Sequence, residues 1–253
     1  MSGLKILSAV SEAYPLAKTG GLGDVAGALP LALREQDIEM VTLLPGYPSA
    51  MSALRRPQEI LAFDDLFGGP ARVLSARVGE MPVFVIDAPH LFDRPGNPYV
   101  APDGQEWPDN ALRFGALGWV AARIGLGDVP SFVPDIVHCH DWQAGLAPAY
   151  LAYAGGRKVP TVVTIHNLAY QGKFPAELLG ALRLPGKAFQ IDGVEYYGMI
   201  GFLKAGLQFA DRITTVSPTY AVEIQTPANG FGLDGLLRSE EHTSELQSLA
   251  YLV

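Results

Sequence analysis

Leu4-Lys5-Ile6-Leu7-Ser8-Ala9-Val10, then Lys18-Thr19-Gly20-Gly21-Leu22-Gly23-Asp24, then an apolar helical pattern from Asp24 to Arg34, decide the fold. A short apolar run with little alternation is what a strand covered on both faces looks like. The glycines and the helix behind it make the first strand–turn–helix unit. Working outward, Glu39–Leu44, Val73–Val78, Val83–Asp87, Ile136–His140, Thr161–Ile165 and Arg212–Val216 read as further strands. Asn110–Ile124, Gln143–Ala154, Tyr196–Ala210 and Pro218–Gln225 read as helices between them. Strand and helix alternating at this spacing predict an α/β protein with a Rossmann-like, doubly wound, mostly parallel sheet.

The chain has 253 residues and a formal net charge of −8. That acidity excludes a nucleic-acid partner held by a broad basic surface, so an anionic ligand must be held locally by a few cations and backbone amides. No uninterrupted apolar run is long enough for a membrane helix. A single cysteine, Cys139, excludes an internal disulfide framework, and the N-terminus is too soon punctuated for a secretory signal. The expected compartment is therefore the cytoplasm. Met81–Asp109 carries six prolines and two glycines, so a long loop is expected after its strand, with Asp93–Tyr99 a rigid polar turn. Residues 239–253 are polar, differ in style from the rest and resemble translated adapter sequence. They are set apart as an atypical, non-native tail, leaving 1–238 as the domain.

In open parallel sheets ligands collect at the carboxyl ends of the strands. Those ends here carry Ser11 to Asp24, Pro45-Gly46-Tyr47, His138-Cys139-His140-Asp141-Trp142, His166-Asn167-Leu168-Ala169-Tyr170 and Ser217-Pro218. Gly20, Gly21 and Gly23 let backbone N–H groups approach an anion at the positive end of a helix, and Lys18 adds a cation. Neither of the common nucleotide motifs fits. Gly21-Leu22-Gly23-Asp24-Val25-Ala26 lies some ten residues beyond its strand, no ribose-binding acid ends the second strand, and Lys-Thr precedes the glycines rather than following them. His138 and His140 share one strand face and invite a metal reading, but His166 brings no local acid to complete a site. Packing of one histidine beneath the rim, with Asp141 free to accept from ligand hydroxyls, is the competing reading. No Gly-x-Ser-x-Gly elbow occurs. Tyr14, Tyr99, Trp142 and Tyr170 fall in or beside the rim loops, as sugar subsites use aromatics. Tyr196, Tyr197, Phe202 and Phe209 lie at helical spacing and read as core.

Lys18-Thr19-Gly20-Gly21-Leu22-Gly23-Asp24-Val25 resembles the signature of bacterial glycogen synthases and plant starch synthases. Ser11 to Pro15, Leu44 to Pro48, His138 to Leu146, Thr164 to Gly172, Phe202 to Leu207 and Thr215 to Ala221 are similar to the same family in order along the chain. The resemblance implies the N-terminal half of a two-domain GT-B glycosyltransferase. It implies transfer of glucose from ADP-glucose to the non-reducing end of an α-1,4-glucan, with retention, no metal and no cofactor beyond the donor. By matching position it places Asp141 and His166 on the transferring glucose. Lys18, Gly20, Gly21, Gly23 and Asp24 fall near the nucleotide sugar, and Tyr99 and Asn167 on the acceptor side. In that family the remaining phosphate-binding cations lie in a second domain, so this chain is expected to need that C-terminal domain and to be inactive without it. A stand-alone glucan-binding module, and a metal-dependent hydrolase using His138 and His140, are the alternative readings.

Overall fold

The computed structural model describes residues 3–238 and Gln247–Ser248. The strands are β1 (Lys5–Ala9), β2 (Glu39–Pro45), β3 (Gln58–Phe63), β4 (Ala71–Val78), β5 (Met81–Asp87), β6 (Ile136–His140), β7 (Thr161–Ile165), β8 (Lys173–Pro175), β9 (Glu195–Tyr196), β10 (Met199–Gly201), β11 (Arg212–Thr215) and β12 (Gln247–Ser248). The helices are α1 (Gly21–Arg34), α2 (Pro48–Ala53), α3 (Pro89–Phe92), α4 (Asn110–Leu126), α5 (Leu146–Ala154), α6 (Phe202–Phe209), α7 (Pro218–Glu223) and α8 (Asp234–Leu237).

One sheet runs β12-β11-β7-β6-β1-β2-β5-β4-β3, and β8, β10 and β9 form a separate three-stranded sheet. Every neighbour from β12 to β5 is parallel, and β4 and β3 extend the edge antiparallel. From β1 the chain runs first to β2 on one side and later to β6 on the other. The order therefore reverses at β1/β6, and the loops after those two strands part to leave a crevice.

Burial follows the pleat. Along β1, Leu7 and Ala9 face the large core with α4, α5 and α6, while Ile6 and Val10 face the side covered by α1. In β5, Phe84 and Ile86 alternate with Val83 and Val85 in the same way. The two-sided apolar strands expected from sequence are thus explained by helices on both faces.

Several expectations need correction. Helix α1 begins at Gly21, three residues before the expected start, so Gly21 and Gly23 lie in its first turn and only Gly20 is extended. The helix expected over Tyr196–Ala210 is two short strands followed by α6, because Glu195–Tyr196 and Met199–Gly201 close a hairpin that pairs with β8. Tyr197 at that hairpin is exposed rather than core. The Met81–Asp109 loop contains the short helix α3. The division at 238/239 falls where the described residues end, and the tail expectation lies outside them except for the backbone of β12, which pairs with β11.

Helices α5 and α6 meet with almost no space between backbones. A Cβ on Gly145 would stand 2.3 Å from the Phe202 carbonyl oxygen, and one on Gly206 would stand 3.1 Å from the Gly145 Cα. Both obstacles are backbone atoms and cannot rotate away. Gly145→Ala is therefore expected to destabilise the protein by about 1–3 kcal/mol, read as a lower urea midpoint with an unchanged slope.

Candidate functional site

The carboxyl edge gathers the residues singled out in the sequence. Strand β6 delivers Asp141 with φ 53°, a left-handed backbone uncommon outside glycine. This turn brings the carboxylate against the loop that follows β7. Asp141 Oδ1 accepts from the backbone N–H groups of His166 at 2.7 Å and Asn167 at 3.3 Å, which ties the β6 and β7 loops together. Oδ2 has no hydrogen bond among the described residues. Burial raises the Asp141 carboxyl to about 7, against the lowering effect of those two backbone donors. A ligand hydroxyl donating to Oδ2 would favour the ionised form.

Beneath Asp141 lies a run of histidines. His138 Nε2 meets Thr164 Oγ1 at 2.6 Å, His140 Nε2 meets Ser8 Oγ at 3.2 Å, and His140 Nδ1 meets His166 Nε2 at 2.9 Å. His138 and His140 are both buried, so two rings pack below the rim where one was expected. Burial holds all three neutral: His138 falls to about 3, His140 well below its ordinary value and His166 to about 4. With Nε2 committed to His140, His166 keeps Nδ1 as the ring nitrogen without a hydrogen bond among the described residues. No group of three or more His, Cys, Asp and Glu side chains among the described residues is arranged to hold a metal ion.

Across the crevice, the loop after β1 is folded on itself and pinned from inside. Tyr14 N–H donates to the Gly23 carbonyl at 2.9 Å. The buried Glu12 carboxylate accepts from the Thr19 hydroxyl at 2.8 Å, from the Thr19 backbone N–H and from the Tyr99 hydroxyl. Sequence reasoning missed Glu12. Its partners are Thr19 and Tyr99, the second far along the chain, and no local pattern flags that pairing. The hydroxyl of Tyr99 thus holds Glu12 and Ser11 rather than facing outward. Gly20 and Gly21 are exposed with open space where a Cβ would go, while a Cβ on Gly23 would meet the Lys18 side chain and Ala17 carbonyl at 3.3 Å. Lys18 is exposed and pairs with Asp24 at 2.7 Å, a contact weak enough to exchange for a ligand. Asn167 is exposed at the rim, its Oδ1 accepting from the Ala169 N–H. Of the four rim aromatics, Tyr14 and Tyr170 are exposed. Trp142 is a core residue packed on Phe114 at 4.9 Å and under Gly172.

The sequence profile of the starch synthase catalytic domain matches residues 5–239. The chain belongs to that family. It is 62% identical over 238 residues to a glycogen synthase of Rhodopseudomonas palustris (strain ATCC BAA-98 / CGA009), covering 94% of this chain and 49% of that protein. It is 60% identical over 235 residues to a glycogen synthase of Acidiphilium cryptum (strain JF-5), covering 93% and 49%. The chain thus spans about half the length of the curated relatives it matches. Among solved structures it resembles the catalytic domain of starch synthase IV from Arabidopsis thaliana bound to ADP and acarbose. That match has a TM-score of 0.83 and 29% identity, and covers 98% of this chain and 51% of that one. The doubly wound, mostly parallel sheet expected of one half of a GT-B enzyme of this family is the fold observed.

Proposed function

We propose that the chain supplies the acceptor-side half of a retaining, cytoplasmic glucosyltransferase that moves glucose from ADP-glucose to the non-reducing 4-hydroxyl of an α-1,4-glucan. The observation that carries this reading is the crevice at the β1/β6 switch point. Asp141, held by two backbone donors, and His166, a neutral imidazole, follow β6 and β7 on the same carboxyl edge of the sheet from which the Lys18–Gly23 loop follows β1. The Arabidopsis neighbour is bound to ADP and acarbose, which supports a nucleotide and a sugar as the ligands. In this reading Asp141 Oδ2 and His166 Nδ1 bind hydroxyls of the transferring glucose. Lys18 and the amides of Gly20, Gly21 and Gly23 face the departing diphosphate, with Asp24 holding Lys18 until the donor arrives. Asn167 contacts the acceptor, and Tyr99 serves that side indirectly by fixing Glu12 and the loop. The Glu12 carboxylate lies near enough to raise Asp141, but its oxygens are held by Thr19 and Tyr99, so it is not a second catalytic carboxylate. Stabilising charge on the leaving phosphate and on the oxocarbenium-like sugar is then the main catalytic work, and neither metal nor cofactor is required beyond the donor.

The test joins residues 1–238 to the half of the Rhodopseudomonas relative that this chain does not span, and measures incorporation of labelled glucose from ADP-glucose into glycogen. Activity is expected in the fusion and none in the 253-residue chain alone. Asp141→Asn in the fusion is expected to lower kcat by about 100-fold or more. Glucan elongation by the 253-residue chain alone would overturn the need for a second domain. An inactive but folded fusion that binds maltooligosaccharides regardless of ADP-glucose would favour a glucan-binding module instead.

A further inference from the structure

We infer that the cleft between the Lys18–Thr19 loop and the Arg94–Pro98 turn is a second site, built for a tetrahedral oxyanion: inorganic phosphate or the phosphoryl group of a phosphorylated sugar. The cleft has a volume of about 380 Å³, and Lys18, Tyr47, Arg94, Asn97 and Arg113 are among its walls. Gly20, Gly21, Asp141, His166 and Asn167 do not line it. Lys18 is shared with the glucosyltransferase reading, whereas Tyr47, Arg94, Asn97 and Arg113 have no part in it, and these four carry the inference.

Two features of its floor are unfinished. The Tyr47 hydroxyl is buried without a hydrogen-bond partner among the described residues, an arrangement that costs free energy unless a ligand completes it. Arg113 is almost fully buried, yet no carboxylate pairs with it among the described residues. Its Nε donates to the Leu91 carbonyl at 2.8 Å, and its Nη1 donates to Pro98 O at 2.9 Å and Asn110 Oδ1 at 2.7 Å. Nη2 makes no hydrogen bond among the described residues. The rings of Phe92, Trp107 and Phe114 lie within 6.0 Å of the guanidinium and Asp109 acts on it from a distance, but no carboxylate among the described residues touches it, which leaves its Nη2 for an anion in the cleft. Burial also keeps the Tyr47 phenol protonated well above its ordinary range, so it can only donate to an oxyanion.

The rim has the same sign. Lys18 and Arg94 each carry an acid, Asp24 at 2.7 Å and Asp109 at 2.5 Å, but neither acid lines the cleft. Glu12 lies nearby, and its oxygens are already taken by Thr19 and Tyr99. A neutral sugar is a poorer match, since the rings of Tyr47 and Phe92 are buried and offer no exposed stacking platform. The volume admits a phosphoryl group with a hexose attached.

The experiment titrates the 253-residue chain with sodium phosphate, glucose 6-phosphate and maltotriose at constant ionic strength, by calorimetry and by thermal melting. Phosphate and glucose 6-phosphate should bind saturably and raise the melting temperature. Tighter binding of one over the other identifies the source of the phosphoryl group, and either order supports the site. Tyr47→Phe loses no internal hydrogen bond, so it should melt at or above the parent temperature while phosphate affinity falls about tenfold or more. Lys18→Gln, at an exposed position, should weaken phosphate to a lesser degree. Phosphate binding no better than chloride, undiminished phosphate affinity in folded Tyr47→Phe, or saturable maltotriose binding lost in that variant would each overturn the inference.

Discussion

Lowering the pH from 7 toward 4 is expected to unfold this protein steeply, because three histidines are held neutral at the base of the crevice. In the unfolded chain His138, His140 and His166 take up protons as the pH falls through 6.5. In the native state His138 and His166 stay neutral down to about 3 and about 4, and His140 well below its ordinary value. Between 6.5 and 4 the unfolded state therefore binds more protons, and stability falls with the pH. Asp141 opposes this. Its folded value of about 7 exceeds its ordinary 3.8, so its contribution is fully present below 3.8 and is lost as the pH rises through 7. Three groups against one leave a net loss of about 3 kcal/mol per pH unit in that window, from about 1.4 kcal/mol per group. Urea midpoints at pH 7, 6 and 5 measure it. Asp141→Asn should steepen the loss by removing the opposing group. A midpoint that does not move between pH 7 and 5 would contradict the neutral histidine run.

Glu12→Ala is the second large effect. The buried carboxylate is the common acceptor for the Thr19 backbone N–H, the Thr19 hydroxyl and the Tyr99 hydroxyl. Truncation leaves the part-buried Tyr99 hydroxyl with Ser11 as its one remaining partner among the described residues and frees the turn that presents Lys18, Gly20 and Gly21. Thr19 is exposed and can turn to water, so most of the penalty falls on Tyr99 and on the emptied space. A loss of about 2–5 kcal/mol is expected. Amide hydrogen exchange would separate the two parts of the effect. Protection of the Thr19 N–H should collapse toward the unprotected limit while α4 keeps its protection relative to global stability. Full protection of Thr19 in the variant would mean the loop is held by something other than Glu12.

The strands and the rim were readable because they obey short-range rules. Two-sided apolar runs such as Val83–Asp87 predict strands, and the carboxyl-end rule placed Asp141, His166, Asn167 and the Lys18 loop on one edge. What escaped has long-range causes. Strand β3 is an edge element with poor alternation, and its ladder with β4 slips between Glu59 and Leu61. Tyr196, Tyr197, Met199 and Ile200 satisfy helical spacing as well as strand spacing, and only pairing with β8 decides between them. Gly21 and Gly23 read as loop because glycine is a poor helix former, yet α1 starts there, where an exposed amide end is available to a ligand. The histidine spacing predicted a shared face for His138 and His140. It did not say that His140 would reach across to His166, two strands being needed to bring them together.

The three hydrogen bonds of Arg113 to Leu91, Pro98 and Asn110 have a kinetic consequence. They tether both ends of the 92–98 turn to α4, so that turn cannot swing as a lid without breaking buried charge-assisted bonds. The opposite wall carries Lys18 and Thr19, both exposed, and the ion pair of the lysine is worth little. Opening on that side needs only rotamer exchange of exposed side chains, on the order of picoseconds to nanoseconds, and not the slower microsecond motions of a loop. Residence time would be set by the ligand's own contacts, with no gate to hold it.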